Sequence, residues 1–328
     1  MLHRSPLFLA LVLALIATSC SDDTETEASP TSTTPETTTT TSAPETTTST
    51  TTPPPIVGGE AGDADVEALQ AFLASGPADE PFYMVNLIRY REHAEYVDGR
   101  ETDLTGEEAD AIYGEFMRNT KLPEIGAEIV YSAVVEQDLI GGTQFDRVGV
   151  VRYPSRTAFQ AMITSADFQE MNVHKQAGVA DTVVMATNLL VAPDLPVLET
   201  YPYPATEDDA PFAFVHVLDY RDTAVYAAGD ENADDTRSGR DAVDLYSNNA
   251  GAVALPLGVR ALAWFEVEQT IIGPADTWDE VRINWFPSHA AFEVLTSDPQ
   301  WESGAHHRTA GLAETYAIMT APEINTFG

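Results

Sequence analysis

The sequence predicts an α+β protein made of two copies of one unit, each running strand, helix, strand, strand, helix, strand. Three observations carry that prediction. The first is a repeat: Pro81-Phe82 with Val85 and Tyr90-Arg91 returns as Pro211-Phe212 with Val215 and Tyr220-Arg221. Likewise Val135-Glu136-Gln137 with Ile140-Gly141 returns as Val267-Glu268-Gln269 with Ile272-Gly273. The second is periodicity, since within each copy the spacing of apolar residues switches between two, as in strands, and 3.6, as in helices. The third is that both faces of the first strand of each copy are mostly apolar. A sheet with two apolar faces must be covered on both.

A leading helix comes first, with Val66, Leu69, Phe72 and Leu73 at helical spacing and Gly76-Pro77 as its stop. The strand from Phe82 to Tyr90 then sets Val85 and Leu87 against Met84, Asn86 and Ile88, and its second copy sets Val215 and Val217 against Phe214, His216 and Leu218. The next helix opens with a capping box, Thr105-Gly-Glu-Glu108, and buries Ala109, Ile112, Tyr113, Phe116 and Met117; Ser238-Gly-Arg-Asp241 opens its counterpart, with Ala242, Leu245 and Tyr246. Strands are expected over Glu128 to Gln137 and Arg147 to Tyr153, and over Arg260 to Gln269 and Glu280 to Phe286. Pro154-Ser155 and Pro287-Ser288 stop them and cap the following helices. A last strand covers about Thr182 to Leu189 in one copy and Thr315 to Thr320 in the other. This is the split βαβ, ferredoxin-like order, with helices on one face of a four-stranded sheet. The economical way to cover the other face is to pack the two sheets against each other within the chain. The resulting domains are 81–190 and 211–328, joined by a Pro-rich linker over 191–210 and preceded by the leading helix within 56–80.

The first 19 residues read as a lipoprotein signal peptide: His3-Arg4, an apolar run from Leu7 to Ala17, then small residues before Cys20, the expected site of lipidation. Residues 20–55 are dominated by Thr, Ser, Pro and Glu and read as a disordered stalk. The expected location is extracytoplasmic, with the lipid anchor as the one contact with the bacterial membrane. The net charge is -36. The stalk holds six acids and no bases, and Arg4 is the one charge before it, which leaves -31 on residues 56–328. Such a body disfavours nucleic acid as a partner.

The run Arg147-Val-Gly-Val-Val-Arg-Tyr-Pro-Ser-Arg-Thr-Ala-Phe, with Asp167-Phe168, His174-Lys175 and Ala177-Gly178-Val-Ala-Asp, resembles the DUF1330 family of the dimeric α+β barrel superfamily. So does Met84-Val-Asn-Leu-Ile-Arg-Tyr-Arg. The resemblance spans most of Pro81 to Asn188 and, more weakly, Pro211 to Thr320. It implies two barrel halves that close on each other in one monomeric chain. DUF1330 has no established activity, and superfamily relatives include cofactor-independent monooxygenases, isomerases and haem-handling proteins.

Such a barrel is expected to hold a cavity at its centre or mouth, for a small apolar or aromatic ligand. Asn86 and His216 are the polar positions on the face assigned to its interior. His174 and His307 recur in register and are the candidate acid-base residues at its rim, with Glu136 and Glu268 placed to orient them. Tyr113 and Tyr246 are expected at the helix-sheet margin, while Arg152 becomes Trp285 in the second copy. Three functions follow: a ligand-binding module, a cofactor-independent monooxygenase or isomerase using a rim histidine, or an interaction module whose barrel is full. No metal set and no cofactor is implied. Asp230, Asn232, Asp234 and Asp241 mimic the spacing of a calcium loop, but Asp235 stands where that loop needs glycine.

Overall fold

A computed structural model describes residues 66–142, 144–192, 200–273 and 278–327. The expected signal, the stalk, Cys20, residues 56–65 of the leading segment and 193–199 of the linker lie outside them. The first part contains α1 (Val66–Ser75), β1 (Phe82–Tyr90), α2 (Gly106–Phe116), a π-helical turn (Met117–Lys121), α3 (Leu122–Ile125), β2 (Glu128–Ile140), β3 (Arg147–Tyr153), α4 (Arg156–Ile163), α5 (Ala166–Gly178) and β4 (Val179–Val191). The second contains β5 (Phe212–Tyr220), α6 (Gly239–Ala254) with a 3-10 turn (Leu255–Leu257), β6 (Arg260–Ile272), β7 (Glu280–Phe286), α7 (His289–Thr296), α8 (Pro299–Gly311) and β8 (Leu312–Asn325).

The eight strands close into one antiparallel barrel in the order β1-β3-β2-β8-β5-β7-β6-β4. The two four-stranded sheets therefore join edge to edge through β2–β8 and β4–β6, rather than lying face to face as separate layers. The joining strands run 13 or 14 residues, longer than the sequence pattern predicts, because each extends past its own sheet to pair with the other. Each seam carries three register shifts, and such bulges let a sheet bend enough to close.

Alternation then decides what lies inside. Val85, Leu87, Tyr131, Val148, Met185, Val215, Phe265, Ile283, Tyr316 and Ile318 fill the barrel as one core cluster. Large side chains from opposite strands therefore meet where the sequence predicts a central cavity. Met84 and Phe214 face outward: Met84 joins the cluster formed with Phe72, Phe82, Tyr153, Phe159 and Phe168, and Phe214 stacks on Phe292 of α7.

The caps anticipated from sequence form in three of the four cases as expected. Thr105 Oγ1 accepts from Glu108 N and Glu108 Oε2 accepts from Thr105 N, a full capping box. Ser155 and Ser288 accept from Ala158 N and Ala291 N. At α6 half the box forms: Asp241 N donates to Ser238 Oγ, but the side chain of Asp241, one methylene shorter than Glu, does not return the bond. Glycine pairs then bring the main helices together. A Cβ on Gly106 would stand 2.4 Å from Gly178 O, and one on Gly239 would stand 2.3 Å from Gly311 O. Only glycine allows either approach.

Candidate functional site

The Gly106–Gly178 contact of α2 and α5 positions the site. One turn past Gly106 lies Asp110, and one turn before Gly178 lies Lys175, so the two charged side chains project from adjoining helices toward the outer face of the sheet. That face contributes a row of three neighbours on paired strands: Asn86 on β1, Gly149 on β3 and Ser132 on β2. Between helices and row is a cavity of about 790 Å³. Its walls are largely apolar, including Met84, Tyr113, Tyr153, Phe159, Met162 and Phe168. Gly149 helps keep it open, since its Cβ position meets nothing nearer than Tyr131 O at 4.0 Å.

One group of polar side chains in the lining centres on Asp110. Tyr90 OH donates to Asp110 Oδ2 over 3.2 Å. Burial pushes the Asp110 carboxyl above its usual range, with the charge of Lys175 opposing that rise in part. Burial pushes Lys175 down, and Asp110 opposes that in turn. The two do not form a direct ion pair, and Lys175 Nζ lies 5.7 Å from the centre of the Tyr113 ring. Two further cations line the cavity: Arg118 is exposed, and Arg147 is satisfied, donating to Ser132 Oγ at 3.0 Å and to Glu323 Oε2 at 2.6 Å, with Glu107 at 3.7 Å.

The equivalent space in the second half is filled. The row there reads His216, Arg282, Trp264, in the same pairing. Arg282 stands where the first half has Gly149, and its guanidinium lies 4.3 Å from the Trp264 ring while donating to Glu280, to Ser247 Oγ at 2.7 Å and to Tyr220 OH at 3.1 Å. A space of about 20 Å³ is left beside His216, Tyr246 and Arg308. Burial, with Arg308 and Arg282 adding to it, pushes the His216 imidazole down to about 3, so it is neutral.

The residues singled out from sequence fall into three groups. Asn86 and Tyr113 line the cavity, although Asn86 faces the helices and not the barrel interior, and its Nδ2 donates to Met84 O at 3.1 Å. His216 and Tyr246 occupy the matching, filled place. The other positions lie elsewhere. His174 Nδ1 pairs with Tyr96 OH at 2.6 Å and His307 Nδ1 with Tyr226 OH at 2.8 Å, each edge to face with its tyrosine. These pairs pin the loops after β1 and β5 to α5 and α8, which explains why histidine recurs without placing either ring at a cavity. Glu136 and Glu268 do not orient them: Glu136 lies 3.4 Å from His289 of the opposite half, and Glu268 binds Arg156 of the opposite half at 2.6 Å. Arg152 reaches Glu128 at 3.6 Å, and Trp285 packs against Tyr201 of the linker. Asp110, Lys175, Tyr90, Gly149 and Ser132 were missed. The available signal was divergence, because Asp110, Gly149 and Ser132 become Val243, Arg282 and Trp264.

No family model matches this chain. No curated protein matches it either. Among solved structures, a protein of unknown function from Rhodopseudomonas palustris is 32% identical over 38% of this chain and 92% of its own, with a TM-score of 0.34. An anthrone oxidase-like protein is 12% identical over 74% of this chain and 92% of its own, with a TM-score of 0.44. A chlorite dismutase from Candidatus Nitrospira defluvii is 11% identical over 77% and 94%, with a TM-score of 0.40. The fold itself rests on the closed strand order of this chain.

Proposed function

We propose that the protein binds a small, largely apolar or aromatic molecule between the sheet and the helices of its first half, and that the second half is a filled structural counterpart. One observation carries this reading: a cavity of about 790 Å³ on one side and about 20 Å³ at the matching place on the other. The larger volume lies within the range of small-molecule sites, roughly 300–1,000 Å³. The row Asn86-Gly149-Ser132 against His216-Arg282-Trp264 supplies the physical difference.

The second half also supplies the test. Gly149→Met with Ser132→Trp fills the same place in the first half without adding a charge, since Arg147 stands where the second half has Glu280. Native mass spectrometry of protein purified from its own host should show a co-purified small molecule on the parent chain and none on the double variant, with melting temperatures within about 3 °C. Equal occupancy in both would rule the cavity out as the binding place.

A proton-transfer enzyme of the cofactor-independent oxygenase or isomerase kind is the second reading. Its support is that burial moves Asp110 up and Lys175 down, toward the range where groups exchange protons near neutral pH. The acid-base role then passes from His174 and His307 to these two residues.

In the same reading the chain is a tandem, DUF1330-like pseudo-dimer of the dimeric α+β barrel type, monomeric and held outside a bacterial membrane by lipid on Cys20 with residues 20–55 as stalk. Cys20→Ser should move the protein from the detergent to the aqueous phase on partitioning and leave it scattering light as a monomer. Retention in detergent would count against the anchor, and a dimer mass against the single-chain assembly.

A further inference from the structure

We propose that the first-half cavity holds one anionic oxygen group of its ligand, a carboxylate or an ionised hydroxyl on a planar ring system, between Lys175 and Asp110. This rests on the reading of the cavity as a ligand site and names the class of ligand it selects.

Of the three cations lining the cavity, Arg118 is exposed and Arg147 is matched by Glu323, Ser132 and Glu107, whereas Lys175 is half-buried and makes no ion pair or hydrogen bond with a described residue. A half-buried ammonium that rests near the Tyr113 ring with no carboxylate in ion-pair reach is stabilised by a ligand anion beside it. Asp110 supplies the opposite side. Burial favours its acid form, which donates a hydrogen bond to an oxygen that also accepts from Lys175, while Tyr90 OH holds the carboxyl in place at 3.2 Å.

The walls set the rest of the ligand. Tyr113, Tyr153, Phe159 and Phe168, with the thioethers of Met84 and Met162, present ring faces and soft apolar surface that suit a planar ring. Glu107, Glu115 and Glu323 also line the cavity, so a ligand with several negative charges is opposed and one acidic group is favoured. The filled half has lost the arrangement, with Val243 in place of Asp110 and Arg308 in place of Lys175.

Calorimetric titration of the full chain with 2-naphthoate, 2-naphthol, naphthalene and 2-naphthylamine tests the proposal on one ring system. At least one of the two acids should bind about tenfold more tightly than naphthalene and the amine, and which acid gains more separates carboxylate from hydroxyl. Lys175→Met should bring the acids down to the affinity of naphthalene while changing naphthalene itself by less than about twofold. Asp110→Val, the residue of the second half, should weaken the acids severalfold, and provides an independent variant if Lys175→Met folds poorly. An amine or hydrocarbon that binds as well as the acids, or an acid preference that survives Lys175→Met, overturns the proposal. Naphthalene binding that is lost in Gly149→Met with Ser132→Trp, without any acid preference, overturns this proposal and leaves the cavity reading standing. No binding of any probe to the parent chain overturns both.

Discussion

Asp219 on β5 faces Glu314 on β8, while at the matching place in the first half Arg89 on β1 faces Asp181 on β4 at 3.0 Å. One pair attracts and the other repels. Burial, with Asp279 and Glu314 adding to it, raises the Asp219 carboxyl to about 6, above its ordinary 3.8. A folded value above the unfolded one means that stability is intact below about pH 4 and declines as pH rises through about 6. Asp219→Asn should therefore melt higher than the parent at pH 7, with the gain vanishing near pH 4; equal melting at pH 7 would show that the repulsion is relieved by solvent. Residue by residue, recurrence in the sequence marked what both halves need to fold. The Tyr96–His174 and Tyr226–His307 contacts are of that kind. The cavity residues escaped notice for the same reason, because Gly149, Ser132 and Asp110 matter through their difference from Arg282, Trp264 and Val243.

Among the elements, α2 and α6 show how closely related segments reach different ends. Each starts from a Thr or Ser cap and is followed by a glycine with positive φ, Gly126 at 72° and Gly258 at 94°. The first segment is one residue longer between those points, and it contains the π-helical turn Met117–Lys121 where the second has regular helix. A π-helical turn is how a helix absorbs an extra residue, and here it contributes Met117, Arg118 and Asn119 to the cavity wall. The capping boxes, the Pro-Ser stops and the glycines were legible as local chemistry, since each acts within a few residues. The π-helical turn was not, because nothing in five consecutive side chains distinguishes it from α-helix. The full length of β4 and β8 was also hidden, because their outer residues are stabilised by pairing with β6 and β2, far away in sequence.

For the whole molecule, two clasps tie the halves together in a crosswise manner. Glu268 of the second half binds Arg156 of the first, which also donates to Phe72 O and Ser75 Oγ of α1 and lies 4.1 Å from the Phe72 ring. Glu136 of the first half reaches His289 of the second, which is also held by Asp209 at 3.0 Å and stacked on Phe212. Glu136 and then Asp209 raise the His289 pKa above 6.5 against the opposing effect of burial. Stability from that clasp is full below pH 6.5 and declines as pH climbs past the raised value. The cost of Glu136→Ala, read from urea unfolding, should thus shrink between about pH 6 and about pH 9. That of Glu268→Ala should stay flat and reach about 3 kcal/mol, because a guanidinium, unlike an imidazole, does not change charge near neutral pH. Matching pH profiles for the two variants would contradict this account. Sequence by itself determined the two-fold repeat, the order of strands and helices, their caps and the acidic body, all written in local pattern and composition. The tertiary structure alone decided that the sheets meet at their edges, that large apolar side chains meet inside the barrel, and that an open volume lies under one pair of helices. The physical reason is that a cavity is what side chains from distant segments leave unfilled, and a single glycine opposite an arginine sets that volume only once the strands are paired.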